Sequence, residues 1–148
     1  MKWPAMLLAI PLLVGCGSIP RDQEGTLDRI RGEGVVRVGL VSSASPPAHA
    51  DRLRALVERS AAAAGGRPLI LEEASEPLLL MLEAGEVDLV VGEFDRSSPW
   101  YSRVHLLPPL ARETRGESEV EATGAARNGE NGWIMLLERE AQALSIVQ

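Results

Sequence analysis

Residues 82–94 read LEAGEVDLVVGEF, and this stretch decides the fold class. Leu82 falls at the end of an apolar helical pattern, and Gly85 is the kind of residue that commonly ends a helix. The run DLVVGEF that follows is apolar through its centre without alternation, which is typical of a strand covered on both faces. A helix that turns directly into such a strand indicates an α/β protein with a parallel sheet.

Two further strands are predicted on the amino-terminal side of this stretch. VVRVGLV at residues 35–41 and PLILEEA at residues 68–74 are rich in aliphatic residues and are bounded by glycine or polar segments. The helix between them is predicted to have Asp51 as its cap and to end at Gly65 and Gly66. The strands therefore alternate with helices.

The next helix is predicted to have Ser75 as its cap, with Pro77 in its first turn. A short helix is predicted to begin at Thr26, which is a suitable cap. The whole pattern predicts the α/β class, with a small, mostly parallel sheet of three to five strands flanked by helices.

The carboxyl-terminal part of the chain loses this alternation. Residues 111–132 are polar and contain several glycines, so we expect a loop there with one short edge strand near residues 119–122. A final helix is predicted from about residue 132 to residue 144, because apolar residues recur at helical spacing. Its apolar face consists of Trp133, Leu136, Leu137, Ala141 and Leu144.

The chain begins with MKWPAMLLAIPLLVGC, which has the pattern of a cleavable export signal. Its apolar run is too short to span a bilayer as a helix, for which about 20 apolar residues are needed. The tail LVGC resembles the lipobox of bacterial lipoproteins, which implies that the thiol of Cys16 carries a fatty acid such as palmitate. In the alternative interpretation, Cys16 is an ordinary small residue of a signal or an anchor helix.

The export signal and the lipobox divide the chain into three expected parts. Residues 1–15 are expected to be a lipoprotein signal peptide, residues 16–25 a polar linker, and residues 26–148 a single α/β domain. The lipid would hold the exported domain on the periplasmic side of a bacterial membrane without crossing it. No aspartate stands beside Cys16, and this favours the outer membrane over the inner membrane by the usual rule for enteric bacteria.

Charge and cysteine content limit the possible partners. The formal net charge is −6, and removal of Lys2 with the signal leaves 14 arginines against 21 acidic residues, or 14 − 21 = −7. Because phosphate contacts need clustered cations, this balance argues against nucleic acid as a partner. The single cysteine leaves no internal disulfide.

Two segments resemble the solute-binding proteins that serve ABC importers of polar amino acids in the bacterial periplasm. The first is TLDRIRGEGVVRVGL at residues 26–40, and the second is LEAGEVDLVVGEF followed by SSPWYSRVHLLPPL at residues 97–110. The matching positions are Leu27, Ile30, Arg31, Gly34, Val35, Val36, Arg37, Val38 and Gly39, then Leu82, Gly85, Asp88 and Leu89.

The resemblance implies a receptor in which two lobes close on a small ligand, commonly an amino acid. Most of the second lobe would follow residues 108–111, but only about twenty polar residues separate that point from the final helix. We therefore expect a single lobe with an open site. Small-molecule sites bury roughly 70 to 90% of their ligand, so an open lobe is expected to bind an amino acid weakly.

The expected site lies at the carboxyl edge of the sheet, where open α/β sheets hold ligands. The family often places an aromatic residue after a proline pair behind the first strand, whereas Ala48 follows Pro46 and Pro47 here. Ser98 replaces the family's threonine, and Arg103 is the nearest candidate to grip a ligand carboxylate. The residues expected to line the site are Ser43, Ser45, Glu93, Asp95, Ser98, Trp100 and Arg103.

Trp100 and its neighbour Tyr101 allow two interpretations. Two large aromatic residues in a loop can form a binding hot spot. They can also cover the end of the sheet that a second lobe would otherwise cover, and we favour this second interpretation.

The sequence predicts no catalytic residue, metal site or cofactor. His49 and His105 are the only histidines, and no GxSxG turn, HExxH helix or glycine-rich phosphate loop accompanies them. A metal site built from these two histidines with Glu93 and Asp95 would need ligands scattered over loops, without the close pair on one element that metal sites commonly use.

Two functions follow from these observations. The first is a membrane-anchored, transport-associated lipoprotein that binds a small polar solute weakly and has an ABC permease as its partner. The alternative is an envelope accessory lipoprotein that reuses the fold without a solute and binds another envelope protein.

Overall fold

The computed structural model describes residues 21–43 and 49–145 of the 148-residue chain. The described elements are α1 (Thr26–Glu33), β1 (Val35–Val41), α2 (Ala50–Ala63), β2 (Arg67–Glu73), α3 (Ser75–Ala84), β3 (Leu89–Asp95), a 3₁₀ helix (Pro99–Ser102), β4 (His105–Leu106), β5 (Ala111–Arg115), β6 (Ser118–Ala126) and α4 (Asn131–Ser145). The expected signal peptide, Cys16 and Ser45 lie outside the described residues, as do residues 46–48.

One mixed sheet organises the domain. Within the described residues its order is β2-β1-β3-β6-β4, and β5 also pairs with β6. β1 is parallel to β2 and β3, whereas β6 is antiparallel to β3, β4 and β5. All strands except β6 therefore run in the same direction. The predicted α/β class with a mostly parallel sheet is confirmed, although the described sheet has six strands instead of three to five.

Two apolar cores lie on opposite faces of this sheet. The larger core packs α1, α2 and α4 against one face, and the smaller core packs α3 against the other. Leu89 and Val91 of β3 belong to the larger core, whereas Val90 between them belongs to the smaller core. The unbroken apolar run of β3 thus reflects burial on both faces. None of the helices in residues 21–43 and 49–145 has the length and apolar character needed to cross a membrane.

The predicted element boundaries agree with the structure more closely than the predicted caps. β1 occupies Val35–Val41, as predicted. α2 begins at Ala50, so Asp51 lies in its first turn, and α3 begins at Ser75 itself. Neither helix has a side-chain cap hydrogen bond, so the predicted capping roles are wrong. Asp51 still lies where the helix dipole favours a negative charge.

The predicted polar loop after Leu110 is wrong. The short strand predicted near residues 119–122 lies within β6, which has neighbours on both sides and is not an edge strand. β5 and β6 form a hairpin that joins the sheet, and β6 pairs with β3 over six residues on its other side. β6 reads SEVEATGAA, and its small residues have little intrinsic strand propensity. A Cβ atom added at Gly124 would lie 2.8 Å from Cδ1 of Leu107, so the absence of a side chain there lets Leu107 pack closely against β6. Tertiary packing therefore determines this strand.

The hairpin closes with a tight turn. Arg115 at the end of β5 pairs with Ser118 at the start of β6, so only Gly116 and Glu117 connect the two strands. Gly116 has a φ of 65°, which glycine adopts without the steric penalty that other residues incur. The chain thus passes from β5 directly into the neighbouring strand β6.

A buried carboxylate joins α4 to the start of α1. Glu130 is 1% exposed. Its carboxylate accepts hydrogen bonds from the backbone N–H groups of Glu24 at 2.8 Å and Thr26 at 3.0 Å. The first N–H groups of a helix lack partners within the helix, and the predicted cap Thr26 supplies no side-chain cap here. Glu130 therefore caps α1 from a distant part of the chain.

Asp22 makes the complementary connection. One carboxylate oxygen accepts from the backbone N–H of Leu27 at 2.7 Å, and the other accepts from that of Trp133 at 2.9 Å. Asp22 thus lies at the amino-terminal turns of both α1 and α4. The segment expected to be a linker, residues 16–25, contributes to the fold from Asp22 onward.

Candidate functional site

The carboxyl ends of β1 and β3 border a shallow cleft of about 250 Å³. Ser43 follows β1, while Glu93 and Asp95 lie at the end of β3. These three predicted site residues therefore lie together. The other residues that line the cleft are Val41, Gly92, Arg115 and Val120.

Gly92 is required at its place beside the cleft. It lies on β3 next to Val41 of β1, and a Cβ atom added at Gly92 would lie 2.6 Å from Cβ of Val41. Atoms at that separation clash, so a larger residue would push the two strand ends apart. The shape of the cleft thus depends on this glycine.

Arg115 brings a guanidinium group to the cleft from the end of β5. Its Nη1 donates to Oε2 of Glu93 at 2.8 Å, and its Nη2 donates to Oε2 of Glu113 at 2.9 Å. The hydrogen bond from Arg115 holds the pKa of Glu113 below its ordinary value. His49 Nε2 lies 3.1 Å from the other oxygen of Glu113. One cationic group therefore bridges two carboxylates at this edge.

Asp95 is hydrogen-bonded within the turn that follows β3. The hydroxyl and backbone N–H groups of Ser97 donate to its Oδ1 at 2.6 and 2.8 Å. These hydrogen bonds, that of the Ser97 side chain first, hold the pKa of Asp95 below its ordinary value. Asp95 is therefore a carboxylate at neutral pH and adds negative charge to the cleft.

Ser98 and Trp100 do not line the cleft. Ser98 caps the 3₁₀ helix, because its hydroxyl accepts from the backbone N–H of Trp100 at 3.4 Å. Trp100 packs against the smaller core beneath α3. Both residues therefore hold the segment between β3 and β4 in place.

Arg103 also lies away from the cleft. Its Nε donates to Oε1 of Glu83 at 3.0 Å, and its guanidinium carbon lies 4.1 Å from the centre of the Trp100 ring. Glu83 belongs to the last turn of α3, and α3 returns the chain from the carboxyl end of β2 to the amino end of β3. The ion pair therefore lies towards the amino ends of the parallel strands, away from the cleft.

Tyr101 is hydrogen-bonded to strand β6. Its hydroxyl donates to Oε2 of Glu121 at 2.9 Å, and Glu121 also accepts from Nε of Arg112 at 2.9 Å. Burial and the contact with Glu121 raise the pKa of Tyr101 to about 12. Trp100 and Tyr101 thus cover one face of the sheet, next to α3.

Glu113 and Arg115 are the site residues that the sequence did not suggest. Both lie in the segment RETR, whose alternating charges are typical of a solvated loop. Once this segment is a strand, residues two apart share one face, which brings both side chains towards Glu93. The hairpin glycine at position 116 was the available signal for this arrangement.

The histidines lie on separate parts of the domain. His49 contacts Glu113, whereas Nε2 of His105 lies 2.9 Å from Glu138 of α4. Among the described ranges of the chain, no group of three or more histidine, cysteine, aspartate or glutamate side chains is placed to hold a metal ion.

Comparison with known proteins gives structural likeness alone. No protein-family model matches the sequence, and no curated protein matches it. The arginine-bound form of domain 1 from TmArgBP, the ArgBP of T. maritima, has a TM-score of 0.65 and 16% sequence identity, and the match covers 78% of this chain and 98% of that chain. A point mutant of that domain gives a TM-score of 0.66 at 17% identity, covering 80% of this chain and 97% of that chain.

A third structure is similar to the same degree. It is an amino acid ABC transporter substrate-binding protein from Streptococcus pneumoniae bound to L-arginine, with a TM-score of 0.67 at 9% identity, covering 80% of this chain and 91% of that chain. At these identities the likeness shows the fold. The described chain therefore has the fold of domains found in amino acid ABC-transporter solute-binding proteins.

Proposed function

We propose that this chain is a transport-associated solute-binding protein of one lobe, which holds a small cationic amino acid weakly at the cleft. The observation that carries the proposal is the acidic cleft at the carboxyl ends of β1 and β3. The arginine-bound form of domain 1 from TmArgBP adds support, because there a separate domain with this fold holds arginine.

The charges of the cleft favour a cation. Glu93, Asp95 and Arg115 line the cleft, and Glu113 lies beside it as the second partner of Arg115. These three carboxylates and one guanidinium group give a balance of −3 + 1 = −2. The contacts of Arg115 also illustrate how the site receives a guanidinium group, with one carboxylate on each side. A ligand guanidinium or ammonium group would compete with Arg115 for Glu93.

The openness of the cleft limits the affinity. Exclusion of water strengthens charged hydrogen bonds, and the described residues provide no second wall over Glu93 and Asp95. Arg115 already neutralises part of the negative charge. We therefore expect dissociation constants in about the millimolar range.

Calorimetry of the full chain with concentrated L-arginine, L-lysine, L-glutamine and L-glutamate tests this proposal. We expect heat for the two cationic amino acids and an affinity at least about tenfold lower for L-glutamate, because like charges repel at the cleft. Glu93→Gln should weaken L-arginine binding about tenfold by removing a charge-assisted hydrogen bond.

The matched control is Glu86→Gln. Glu86 is exposed in the turn before β3. This variant therefore loses the same charge at the amino end of β3, opposite to the cleft, and should bind L-arginine like the parent. The absence of binding by all four amino acids would contradict the proposal. If both variants weakened L-arginine binding equally, the binding site would lie outside the cleft.

We further propose that the chain is exported and is anchored to a membrane by lipid on Cys16. Radiolabelled palmitate should be incorporated when the full chain is produced in a bacterial host, and the label should be lost in Cys16→Ser. Ser18→Ala is the control and should keep the label. Retention of the label in Cys16→Ser would contradict lipidation at this residue.

An ABC permease is the partner that this function requires. The fold shared with an ABC transporter substrate-binding protein supports that choice. Crosslinking in intact membranes, followed by identification of the proteins joined to the full chain, tests it. Recovery of other envelope proteins without any permease would contradict the transport role.

A further inference from the structure

The strand β2 leaves one edge of the sheet open. Within the described residues β2 pairs with β1 on one side and with no strand on the other. All seven of its residues are exposed, including Leu69 at 63%, Ile70 at 53% and Leu71 at 43%. An exposed apolar edge of this kind is a template for pairing with another strand.

The opposite edge of the sheet is protected from such pairing. β4 has only two residues, and β5 carries Arg112, Glu113 and Arg115. Short strands and charged side chains are the usual means by which proteins prevent unwanted pairing at an edge. The apolar character of β2 is therefore specific to one edge.

The outward hydrogen-bonding groups of β2 can be assigned from its contacts with β1. The N–H of Arg67 donates to the carbonyl of Gly34 at 3.0 Å, and the carbonyl of Glu73 accepts from Ser42 at 2.9 Å. Odd-numbered residues of β2 thus point their backbone groups towards β1. Since successive residues alternate, Pro68, Ile70 and Glu72 point theirs outward, and Pro68 has no N–H to donate.

We propose that β2 pairs with β2 of a second copy of this chain, antiparallel about a two-fold axis at Ile70. In this register Arg67 lies opposite Glu73 of the second copy, Leu69 opposite Leu71, and Ile70 opposite itself. Each end of the strand therefore meets the opposite charge, and the apolar residues meet one another. Ile70 would exchange both its backbone hydrogen bonds with its counterpart, and the N–H of each Glu72 would donate to the carbonyl of the opposite Pro68.

The side chains at the strand ends are available for these contacts. Arg67 and Glu72 form no ion pair with another described residue. The carboxylate of Glu73 accepts only from the backbone N–H of Ala74, at 2.9 Å, among the described contacts. Arginine residues elsewhere in the described chain commonly have carboxylate partners, for example Arg59 with Glu140. The side-chain charges at the two ends of β2 are thus complementary to those of an antiparallel copy of the same strand.

The charges also select one register. A shift by two residues in either direction places Glu73 opposite Leu69 or opposite Gly65 of the second copy, so no end pair carries opposite charges. Because β2 is exposed on both faces, the flanking helices do not cover the strand and leave room for the second sheet. A self-complementary surface is what a two-fold dimer requires.

The dimer can be tested with charge reversals in the full chain, purified in a density-matched detergent. Sedimentation equilibrium at about 100 µM protein should detect the parent dimer. Arg67→Glu and Glu73→Arg should each raise the dissociation constant about tenfold or more, since each variant places like charges at both end pairs. An equimolar mixture of the two variants should associate as the parent does, because each end pair is then again of opposite charge.

Ile70→Lys provides a second test, because it places two cations face to face on the axis and should abolish the dimer. Thermal unfolding should show that all these variants fold, since each changed side chain is exposed. A monomeric parent would overturn the proposal and would leave the edge to a strand of a different protein. A parent dimer that is unaffected by the charge reversals, or a mixture that fails to associate, would overturn it as well.

Discussion

Replacement of Asp88 by asparagine should lower the free energy of unfolding by about 3 kcal/mol or more. The Asp88 side chain is 2% exposed, and Oδ1 lies 2.6 Å from Nη2 of Arg29 and 2.7 Å from Nη2 of Arg37. Its Oδ2 accepts the backbone N–H of Arg37 at 2.8 Å. An amide cannot neutralise two guanidinium groups, so Arg37 would lose its counter-ion and Arg29 would keep only Glu33. Urea unfolding of the full chain, followed by circular dichroism, measures the change.

Asp28→Asn is the matched control for this prediction. Asp28 is 90% exposed and lies 3.7 Å from Arg31 on the surface of α1. The same chemical change there should alter stability by no more than about 0.5 kcal/mol. If both variants unfolded at the same urea concentration, the buried ion pairs of Asp88 would contribute no more than a surface pair, and the prediction would be wrong.

Asp88 also explains how the last helix is attached. Nε1 of the fully buried Trp133 donates to the backbone carbonyl of Asp88 at 2.8 Å. The ion pairs and this hydrogen bond meet in the turn that leads into β3. A loss of order at Asp88 should therefore spread to α4, and near-ultraviolet circular dichroism of Trp133 would record it.

Replacement of Glu130 by glutamine should destabilise the protein by about 2 kcal/mol at pH 7. Glutamine has one acceptor oxygen, whereas the Glu130 carboxylate accepts from both Glu24 and Thr26 through its two oxygens. The variant therefore leaves one backbone N–H at the start of α1 without its partner and removes a negative charge from that helix end. Urea midpoints at pH 7 provide the measurement.

The same variant should show a defined pH dependence. Burial alone would raise the pKa of Glu130, but hydrogen bonds from Glu24 and Thr26 hold that pKa below its ordinary value. The carboxylate therefore contributes stability above the ordinary pKa of a glutamate, and this contribution is lost as the pH falls through the lower pKa of the folded state. The stability difference between parent and Glu130→Gln should shrink between about pH 5 and pH 3.

Glu86→Gln, at an exposed position, should show no such convergence with the parent. A difference between parent and Glu130→Gln that stays constant down to pH 3, or that grows, would contradict the assigned role of the carboxylate.

The sequence predicted the elements whose patterns are local. β1 is rich in aliphatic residues, β3 has a continuous apolar run, and α4 has helical spacing, so each was recognisable from its own residues. Only residues 119–122 of β6 were predicted as a strand, because the six consecutive buried residues, 121–126, include a glutamate, a threonine and a glycine. Only their neighbours in the folded sheet explain why these residues are buried.

The same contrast between local patterns and contacts in the folded sheet applies to the residues of the candidate site. Ser43, Glu93 and Asp95 could be placed because they follow directly from strands, and strand ends meet at one edge. Trp100 and Arg103 were misplaced because the segment after β3 turns back along the smaller core, a path that leaves no local pattern. Arg115 could not be identified without knowing that residues 111–115 pair with β6.

The two-residue turn at Gly116 and Glu117 has a consequence for how this architecture can vary. Its flanking residues, Arg115 and Ser118, lie opposite each other in the sheet, so a longer connection can join the same two strand ends. Lengthening an exposed turn adds only about 0.6 kcal/mol for each doubling of its length. A whole folded module could therefore be spliced between these two positions, or excised from them, while the parent sheet remains intact.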